Sequence, residues 1–162
     1  MTIEFRKISD FKRGTLLGLL KSAYSFDHRF EDCFIENWTE CDNFFYDNID
    51  IGNKYCLVSV LNDEPIGFIC WDPRNMPEYV EIGHNCISTE HKGLGFGKVQ
   101  LKEALSRITK HEIEKVIVTT NELLIPAQRN YEGVGFQFVI ERVNDSEHRF
   151  SGDYIDYELV LE

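Results

Sequence analysis

The sequence predicts a mixed α/β domain, in which a central sheet of about seven strands is flanked by four helices. Short segments with apolar residues at every second position alternate with longer segments that repeat apolar residues at the spacing of one helix face. Their order along the chain is β-α-α-β-β-β-α-β-α-β-β, which combines neighbouring strands with strand–helix–strand crossovers. The chain has 162 residues, the length of one domain, and we expect a single domain over residues 1–162.

The beginning of the chain is predicted to form a strand followed by two helices. Residues 2–8 alternate as a strand does, and Ser9 or Asp10 can cap the following helix by accepting hydrogen bonds from its first amides. Each helix has one apolar face, with Leu16, Leu19, Leu20, Ala23 and Tyr24 in the first and Phe30, Phe34, Trp38, Cys41 and Phe45 in the second.

From residue 54 onwards, strand patterns prevail. Residues 54–61 and 66–71 are predicted to form a hairpin, because residues 62–65 are typical of a turn. The remaining predicted elements are a strand over 79–87, a helix with apolar residues at Leu94, Gly97, Leu101, Leu105 and Ile108, a strand over 115–120, a helix from Pro126 to Gly133 or Gly135, and strands over 136–143 and 154–161 joined by a polar loop over 144–153.

Composition restricts the classes of partner. The formal net charge is −11 and lysine and arginine do not cluster, so we expect no nucleic acid partner. The chain starts without an apolar leader and has no apolar stretch long enough to cross a membrane, which predicts a cytoplasmic protein without a membrane partner. The cysteines form no C-x-x-C pair and are predicted to be reduced core residues: Cys33, Cys41, Cys56, Cys70 and Cys86.

A glycine-rich segment, residues 92–97, lies between the predicted strand over 79–87 and the next helix. A helix N-terminus after such a loop can bind an anion, because its first amides lack partners and carry a positive partial charge. A Walker loop would require Ser or Thr after Gly97-Lys98, where this chain has Val99. A Rossmann loop would require G-x-G-x-x-G, whereas the glycines here run G-x-G-x-G. A tight turn without a ligand would use glycines in the same way.

Two motifs resemble one family. Lys92-Gly93-Leu94-Gly95-Phe96-Gly97 resembles the R/Q-x-x-G-x-G/A pyrophosphate loop of the GNAT (Gcn5-related) N-acetyltransferases, with Lys92 where Arg or Gln is usual. Residues 127–136, AQRNYEGVGF, resemble the family's A-x-x-x-Y-E-x-x-G-F signature, with Gly133 where lysine is common. The order of elements is also similar to that of the GNAT fold. The resemblance implies acetyl-CoA as cofactor and transfer of the acetyl group to a primary amine.

The resemblance also implies which residues bind the cofactor. These are Asn85, Cys86 and Ile87 on the strand, Lys92, Gly93, Leu94, Gly95, Phe96, Gly97 and Lys98 at the loop and helix start, and Asn121 and Tyr131 further along. Asn121 lies three residues further upstream of Ala127 than is usual in the family, because residues 123–125 are additional.

Catalysis requires a base for the amine and an acid for the departing thiolate. By the resemblance Glu81 is the base, with His84 or a water relay as alternatives. Tyr131 occupies the position of the family's tyrosine, whose hydroxyl lies near the CoA sulfur as general acid; an aromatic packed on the sheet is the other interpretation. His84 and Cys86 alone do not make a zinc site, so no metal is expected.

The acceptor amine is the least defined part of this prediction. Residues expected to line its site are aromatic or acidic and favour a cationic small molecule or peptide: Tyr24, Phe26, His28, Phe30, Glu81 and Tyr154. A homodimer is compatible with the resemblance, since dimers are common in the family. The alternative function is a catalytically weak GNAT-fold module that binds CoA or a protein.

Overall fold

The computed structural model describes residues 2–145 and 152–162, which contain seven strands and five α-helices. The mixed α/β class and the seven strands are confirmed, with one helix more than predicted. The elements are β1 (Glu4–Arg6), α1 (Thr15–Ala23), α2 (His28–Asp47), α3 (Ile49–Tyr55), β2 (Cys56–Leu61), β3 (Glu64–Asp72), β4 (Tyr79–Ile87), α4 (Phe96–Ile108), β5 (Lys115–Asn121), α5 (Ile125–Gly133), β6 (Gln137–Arg142) and β7 (Tyr154–Val160). The strands follow the order β1-β2-β3-β4-β5-β7-β6.

The chain divides into two compact units. The first comprises Met1–Cys70 and His84–Gln100, and the second comprises Trp71–Gly83 and Leu101–Glu162. The expectation of a single domain over residues 1–162 stays a prediction.

In the first unit, β2 pairs antiparallel with β1 and with β3. Every residue of β2 is buried. The predicted turn between β2 and β3 is confirmed, because Asn62 and Asp63 have φ angles of 51° and 65°. Two successive left-handed residues are typical of the tight turns whose twist matches that of a hairpin.

The start of α1 differs from the prediction. α1 begins at Thr15, and its first amides are capped by a distant residue: Gly14 N donates to Asp42 Oδ1 at 2.9 Å and Leu17 N donates to Oδ2 at 3.0 Å. Asp42 lies on α2 and is only 3% exposed. A carboxylate at a helix N-terminus satisfies free amides and opposes the positive end of the helix dipole. The predicted capping by Ser9 or Asp10 is wrong, because both residues belong to a separate 3₁₀ turn.

The additional helix, α3, includes Lys54 and Tyr55, which were predicted to begin a strand. Gly52 allows this helix to pack closely, since a Cβ there would lie 2.3 Å from the Ile8 Cδ1 atom. The short helix contains an interior glycine and two isoleucines, residues of modest or low helix propensity, so local pattern alone did not reveal it.

The second unit is built on β5. β5 pairs parallel with the start of β4 and antiparallel with β7, and β7 also pairs with β6. β6 is last in the strand order and all of its residues are exposed. Residues 146–151 of the predicted loop over 144–153 lie outside the described residues.

Within the described parts of the chain, no helix combines the length and the apolar character that a membrane crossing would need. All five cysteines are free thiols; Cys56, Cys70 and Cys86 are buried, whereas Cys33 and Cys41 are half-buried.

Candidate active site

The glycine loop leads into α4 through two residues with left-handed backbone. Gly93 has a φ angle of 77° and Gly95 one of 86°. A Cβ at either position would meet no atom within 4 Å, so backbone conformation, not lack of space, requires glycine there. Phe96 fixes the start of α4, because its buried side chain belongs to a core cluster with Leu61, Ile66 and Ile87.

One residue of the predicted apolar face of α4 is placed differently. Leu94 is 57% exposed, because α4 begins only at Phe96 and helical spacing does not apply before that residue. The other large members of the face are buried as predicted: Leu101, Leu105 and Ile108.

The first turn of α4 supplies backbone amides at the predicted cofactor positions. Val99 N donates to Gly95 O at 3.3 Å and closes this turn. The first amides of a helix have no partner within it, and the helix dipole adds a positive partial charge. The loop and the amides of Phe96, Gly97 and Lys98 are therefore suited to bind a phosphate group.

β4 changes its environment halfway along. Its parallel register with β5 covers residues 79–82 opposite residues 115–118, whereas β4 itself continues to Ile87. The three predicted cofactor residues of β4 lie beyond this register: Asn85, Cys86 and Ile87. Backbone groups that leave a ladder can turn to a ligand.

A buried glutamine on α4 holds this end of β4. Gln100 is fully buried, and its Nε2 donates to Asn85 Oδ1 at 2.8 Å, to Phe68 O at 2.9 Å and more weakly to Cys86 O at 3.2 Å. Its Oε1 accepts a hydrogen bond from Ser59 Oγ at 2.7 Å. Sequence reasoning missed Gln100, although a polar residue four positions after Phe96 on an apolar helix face was an available signal.

The predicted base, Glu81, is half-buried and lies opposite Ile117 in the register of β4 with β5. The alternative base, His84, lies among thiols: its backbone amide donates to Cys70 Sγ at 3.3 Å, and its side chain hydrogen-bonds Cys41. A side-chain hydrogen bond between Cys41 and Cys70 raises the pKa of the Cys41 thiol, and so does its burial. The hydrogen bond of Cys41 with His84 lowers that pKa. Cys41 is therefore a protonated thiol at neutral pH.

The predicted acid, Tyr131, is buried among aromatic side chains. Only 4% of Tyr131 is exposed; its ring centroid lies 5.5 Å from that of Phe136 and 6.1 Å from that of Tyr157. Tyr157 donates a hydrogen bond to Glu132 at 3.0 Å. Burial and this hydrogen bond raise the pKa of Tyr157 to about 12.

Asn121 ends β5 and its side chain forms a turn. Asn121 Oδ1 accepts from Leu123 N at 3.0 Å, and Asn121 O accepts from Leu124 N at 3.1 Å and from the side chain of Gln128 at 2.9 Å. The additional residues before α5 are thus used in a local turn. The predicted contact of Asn121 with the cofactor stays a prediction.

Three of the predicted acceptor residues lie together. Ring centroids of Tyr24, Phe26 and Phe30 are 5.2 to 6.3 Å apart. Trp38 extends this aromatic cluster, with its ring stacked 5.4 Å from that of Tyr24. His28 is exposed, and its Nε2 atom lies 3.9 Å from Asp32 Oδ2.

Arginines engage two carboxylates near predicted acceptor residues. Asp27 forms a two-pronged pair with Arg29, and that hydrogen bonding lowers the pKa of Asp27 to about 2. Arg142 pairs with Asp156 at 2.7 Å and lies over the ring of Tyr154, 5.2 Å from its centroid. These acids therefore carry less uncompensated charge than the sequence suggested.

Together these features define an α/β protein with a strand–loop–helix segment suited to bind an anion. The family model of the acetyltransferase (GNAT) family matches residues 23–136. No curated protein matches the chain in a sequence search. The chain therefore belongs to the GNAT family of acetyltransferases, as its two motifs predicted.

Solved structures with the same fold span nearly the whole chain. A protein from Desulfovibrio desulfuricans assigned to the GNAT family has a TM-score of 0.76 at 15% identity, covering 98% of this chain and 99% of its own. The ribosomal-protein-S18-alanine N-acetyltransferase of Escherichia coli has a TM-score of 0.73 at 16% identity, covering 99% and 94%. An acetyltransferase from Bacillus subtilis, solved with CoA, has a TM-score of 0.68 at 18% identity, covering 99% and 98%.

Proposed function

We propose that this protein is an acetyl-CoA-dependent N-acetyltransferase that acetylates a primary amine of a small molecule or peptide by direct attack in a ternary complex. The observation that carries the proposal is the glycine loop, whose left-handed Gly93 and Gly95 lead directly into the first turn of α4. Membership of the GNAT family supports it. So does the complex of the related Bacillus subtilis acetyltransferase with CoA.

The residues fit the cofactor's chemical groups. Amides from Gly93 to Lys98 would hold the pyrophosphate, because they combine free donors with the positive end of a helix dipole. The end of β4 from Asn85 to Ile87 would hold the pantetheine and the acetyl carbonyl through its backbone. Acetyl-CoA supplies the activated acetyl group as a thioester.

Two side chains move protons in this proposal. Glu81 accepts a proton from the acceptor's ammonium group, directly or through water, which frees the nitrogen lone pair for attack. Tyr131 donates its phenolic proton to the departing sulfur as the carbon–sulfur bond breaks, and the acylated nitrogen gives up its extra proton to the resulting phenolate, directly or through water. The aromatic packing of Tyr131 supports this role, because it fixes the ring in one position.

The acceptor is proposed to carry an ammonium next to an apolar body. The net charge of −11 favours the approach of cations, and the clustered rings of Tyr24, Phe26 and Phe30 favour binding them. The structurally similar Escherichia coli protein is a ribosomal-protein-S18-alanine N-acetyltransferase, which supports a protein or peptide as one candidate acceptor. A cytoplasmic location and a homodimer stay predictions.

A thermal-shift titration tests the cofactor. Acetyl-CoA at a hundred times its dissociation constant should stabilise the fold by about 2.7 kcal/mol, whereas adenosine 3′,5′-bisphosphate and a nicotinamide dinucleotide serve as controls. No shift with acetyl-CoA would contradict the proposal. A shift without thiol release in the presence of any amine of a broad panel would instead favour the CoA-binding module.

The variant Tyr131→Phe tests the acid. We expect kcat to fall about 100-fold, within the usual contribution of general acid catalysis, while the dissociation constant of CoA stays unchanged. Tyr157→Phe is the matched control, because it removes a neighbouring buried hydroxyl that bonds Glu132 instead. Equal turnover of Tyr131→Phe and the control would exclude Tyr131 as the acid.

A further inference from the structure

The turn between α1 and α2 is fastened to the segment that leads into the glycine loop. We call residues 22–26 the acceptor segment, since it contains two of the predicted acceptor residues, and residues 88–92 the loop entry. Thr89 N donates to Ser22 Oγ at 3.1 Å, and Thr89 Oγ1 donates to Ser22 O. Thr89 Oγ1 also lies 3.0 Å from Ser25 Oγ.

Lys92 adds two contacts between the acceptor segment and the loop entry. Its ammonium donates to Ala23 O, the carbonyl of the last residue of α1, and lies 4.8 Å from the ring centroid of Phe26. The last carbonyls of a helix lack partners within it, and a cation there is favoured by the helix dipole. An ammonium over an aromatic face is favoured by the ring quadrupole.

The ammonium of Lys92 is engaged, although the residue as a whole is exposed. Partial burial lowers the pKa of Lys92. Its contacts with Ala23 O and the Phe26 ring direct the side chain to the acceptor segment, while the backbone of the same residue enters the glycine loop.

The loop entry is itself fixed to the sheet. Ser88 N donates to Ile66 O at 2.7 Å, and Ser88 Oγ lies 2.8 Å from His91 Nδ1. The contacts between the acceptor segment and the loop entry therefore hold the acceptor segment in a fixed position relative to β3.

We propose that Lys92 is a positioning residue: its ammonium holds the acceptor segment against the loop entry, and so sets affinity for the acceptor amine, in place of binding the cofactor's pyrophosphate. The inference rests on the proposed function, which assigns the acceptor amine to the acceptor segment and acetyl-CoA to the glycine loop.

The kinetic test uses three variants of the protein. Lys92→Met keeps the aliphatic stem and removes the ammonium, and Lys92→Arg keeps a cation and donors. Lys21→Met is the matched control, because it removes the same charge from an exposed position on α1. Melting temperatures and circular dichroism establish that each variant is folded before kinetics are measured.

Lys92→Met should raise KM for the amine about tenfold, as expected for loss of one charged hydrogen bond and one cation–π contact. The dissociation constant of acetyl-CoA and its dependence on salt should stay as in the wild type. Lys92→Arg should restore part of the amine affinity, and Lys21→Met should change neither. A direct pyrophosphate ligand would behave oppositely: acetyl-CoA would bind more weakly and with less dependence on salt, with KM for the amine unchanged. That result would overturn the proposal.

Hydrogen exchange separates this inference from the proposed function. Amides of residues 22–26 should exchange faster in Lys92→Met than in the wild type, whether or not any amine is turned over. Thr89→Val removes only the hydroxyl that contacts the acceptor segment, and it should also make these amides exchange faster. This variant keeps the proposal testable if Lys92→Met does not fold. Unchanged exchange rates in both variants would overturn the proposal that Lys92 holds the acceptor segment against the loop entry. Faster exchange in a protein that turns over no amine would refute only the proposed function.

Discussion

Replacing Gln100 by leucine should cost more stability than its conservative shape suggests. Leucine fills a similar volume but removes an acceptor and two N–H donors from a site with no access to water. Gln100 satisfies Ser59 Oγ on β2 and, on the other side, Asn85 Oδ1 and the carbonyl oxygen of Phe68. These groups would lose a partner together.

The magnitude follows from counting the buried groups that would lose a hydrogen-bond partner. A buried polar group without a partner costs about 1–3 kcal/mol. Ser59 is fully buried and would lose the acceptor of its hydroxyl, and the carbonyl oxygen of Phe68 would lose one of its donors. We therefore expect Gln100→Leu to lower the free energy of unfolding by about 2–6 kcal/mol. Much of a typical total of about 5–15 kcal/mol would be lost.

Urea denaturation followed by tryptophan fluorescence measures this loss. Gln128→Leu is the matched control: Gln128 is half-buried and makes one side-chain bond, to Asn121 O, so its loss should cost about 1 kcal/mol or less. Adding Ser59→Ala to Gln100→Leu should recover about 1–3 kcal/mol, because the serine hydroxyl is then no longer left unpaired. A Gln100→Leu cost no larger than that of the control, or no recovery in the double variant, would refute the reasoning.

Two further variants examine the glycine loop and the second unit. Gly95→Ala should destabilise the protein by about 1–2 kcal/mol and weaken acetyl-CoA binding, because φ is 86°, whereas Gly18→Ala in α1 should be neutral or stabilising; equal melting temperatures would contradict this. Tyr157→Phe should flatten the loss of stability at alkaline pH. A folded-state pKa of about 12, raised above the unfolded value near 10, means that the contribution of Tyr157 is complete below about pH 10 and is lost as pH rises towards 12. Thermal unfolding of the wild type and of Tyr157→Phe between these pH values measures how steeply each loses stability, and parallel curves would exclude a contribution of Tyr157.

The sequence was most informative where a local pattern determines structure. Alternation and helical spacing predicted all seven strands in order, and the turn sequence at Asn62 and Asp63 predicted the hairpin. The glycine loop was predictable because Gly93 and Gly95 are required by backbone conformation, a property that the residue type itself reveals.

The sequence was least informative where distant residues determine structure. Asp42 caps α1 from α2, and no local signal near Thr15 points to it. The direction of the Lys92 side chain depends on Ala23 and Phe26, which are remote in sequence. Charge counting likewise overstated the acidity around the predicted acceptor residues, since pairing of carboxylates with arginines depends on tertiary position.

One helix positions both parts of the proposed cofactor site in the first unit. The N-terminal turn of α4 provides the amides proposed to bind the pyrophosphate, and Phe96 fixes that turn in the core. One turn later, Gln100 holds Asn85 and the carbonyl of Cys86 at the end of β4. Because Phe96 and Gln100 lie on one face of one helix, a shift of α4 would displace the proposed anion site and the strand end together. A substitution that loosens Gln100 should therefore weaken acetyl-CoA binding even though Gln100 is not expected to touch the cofactor.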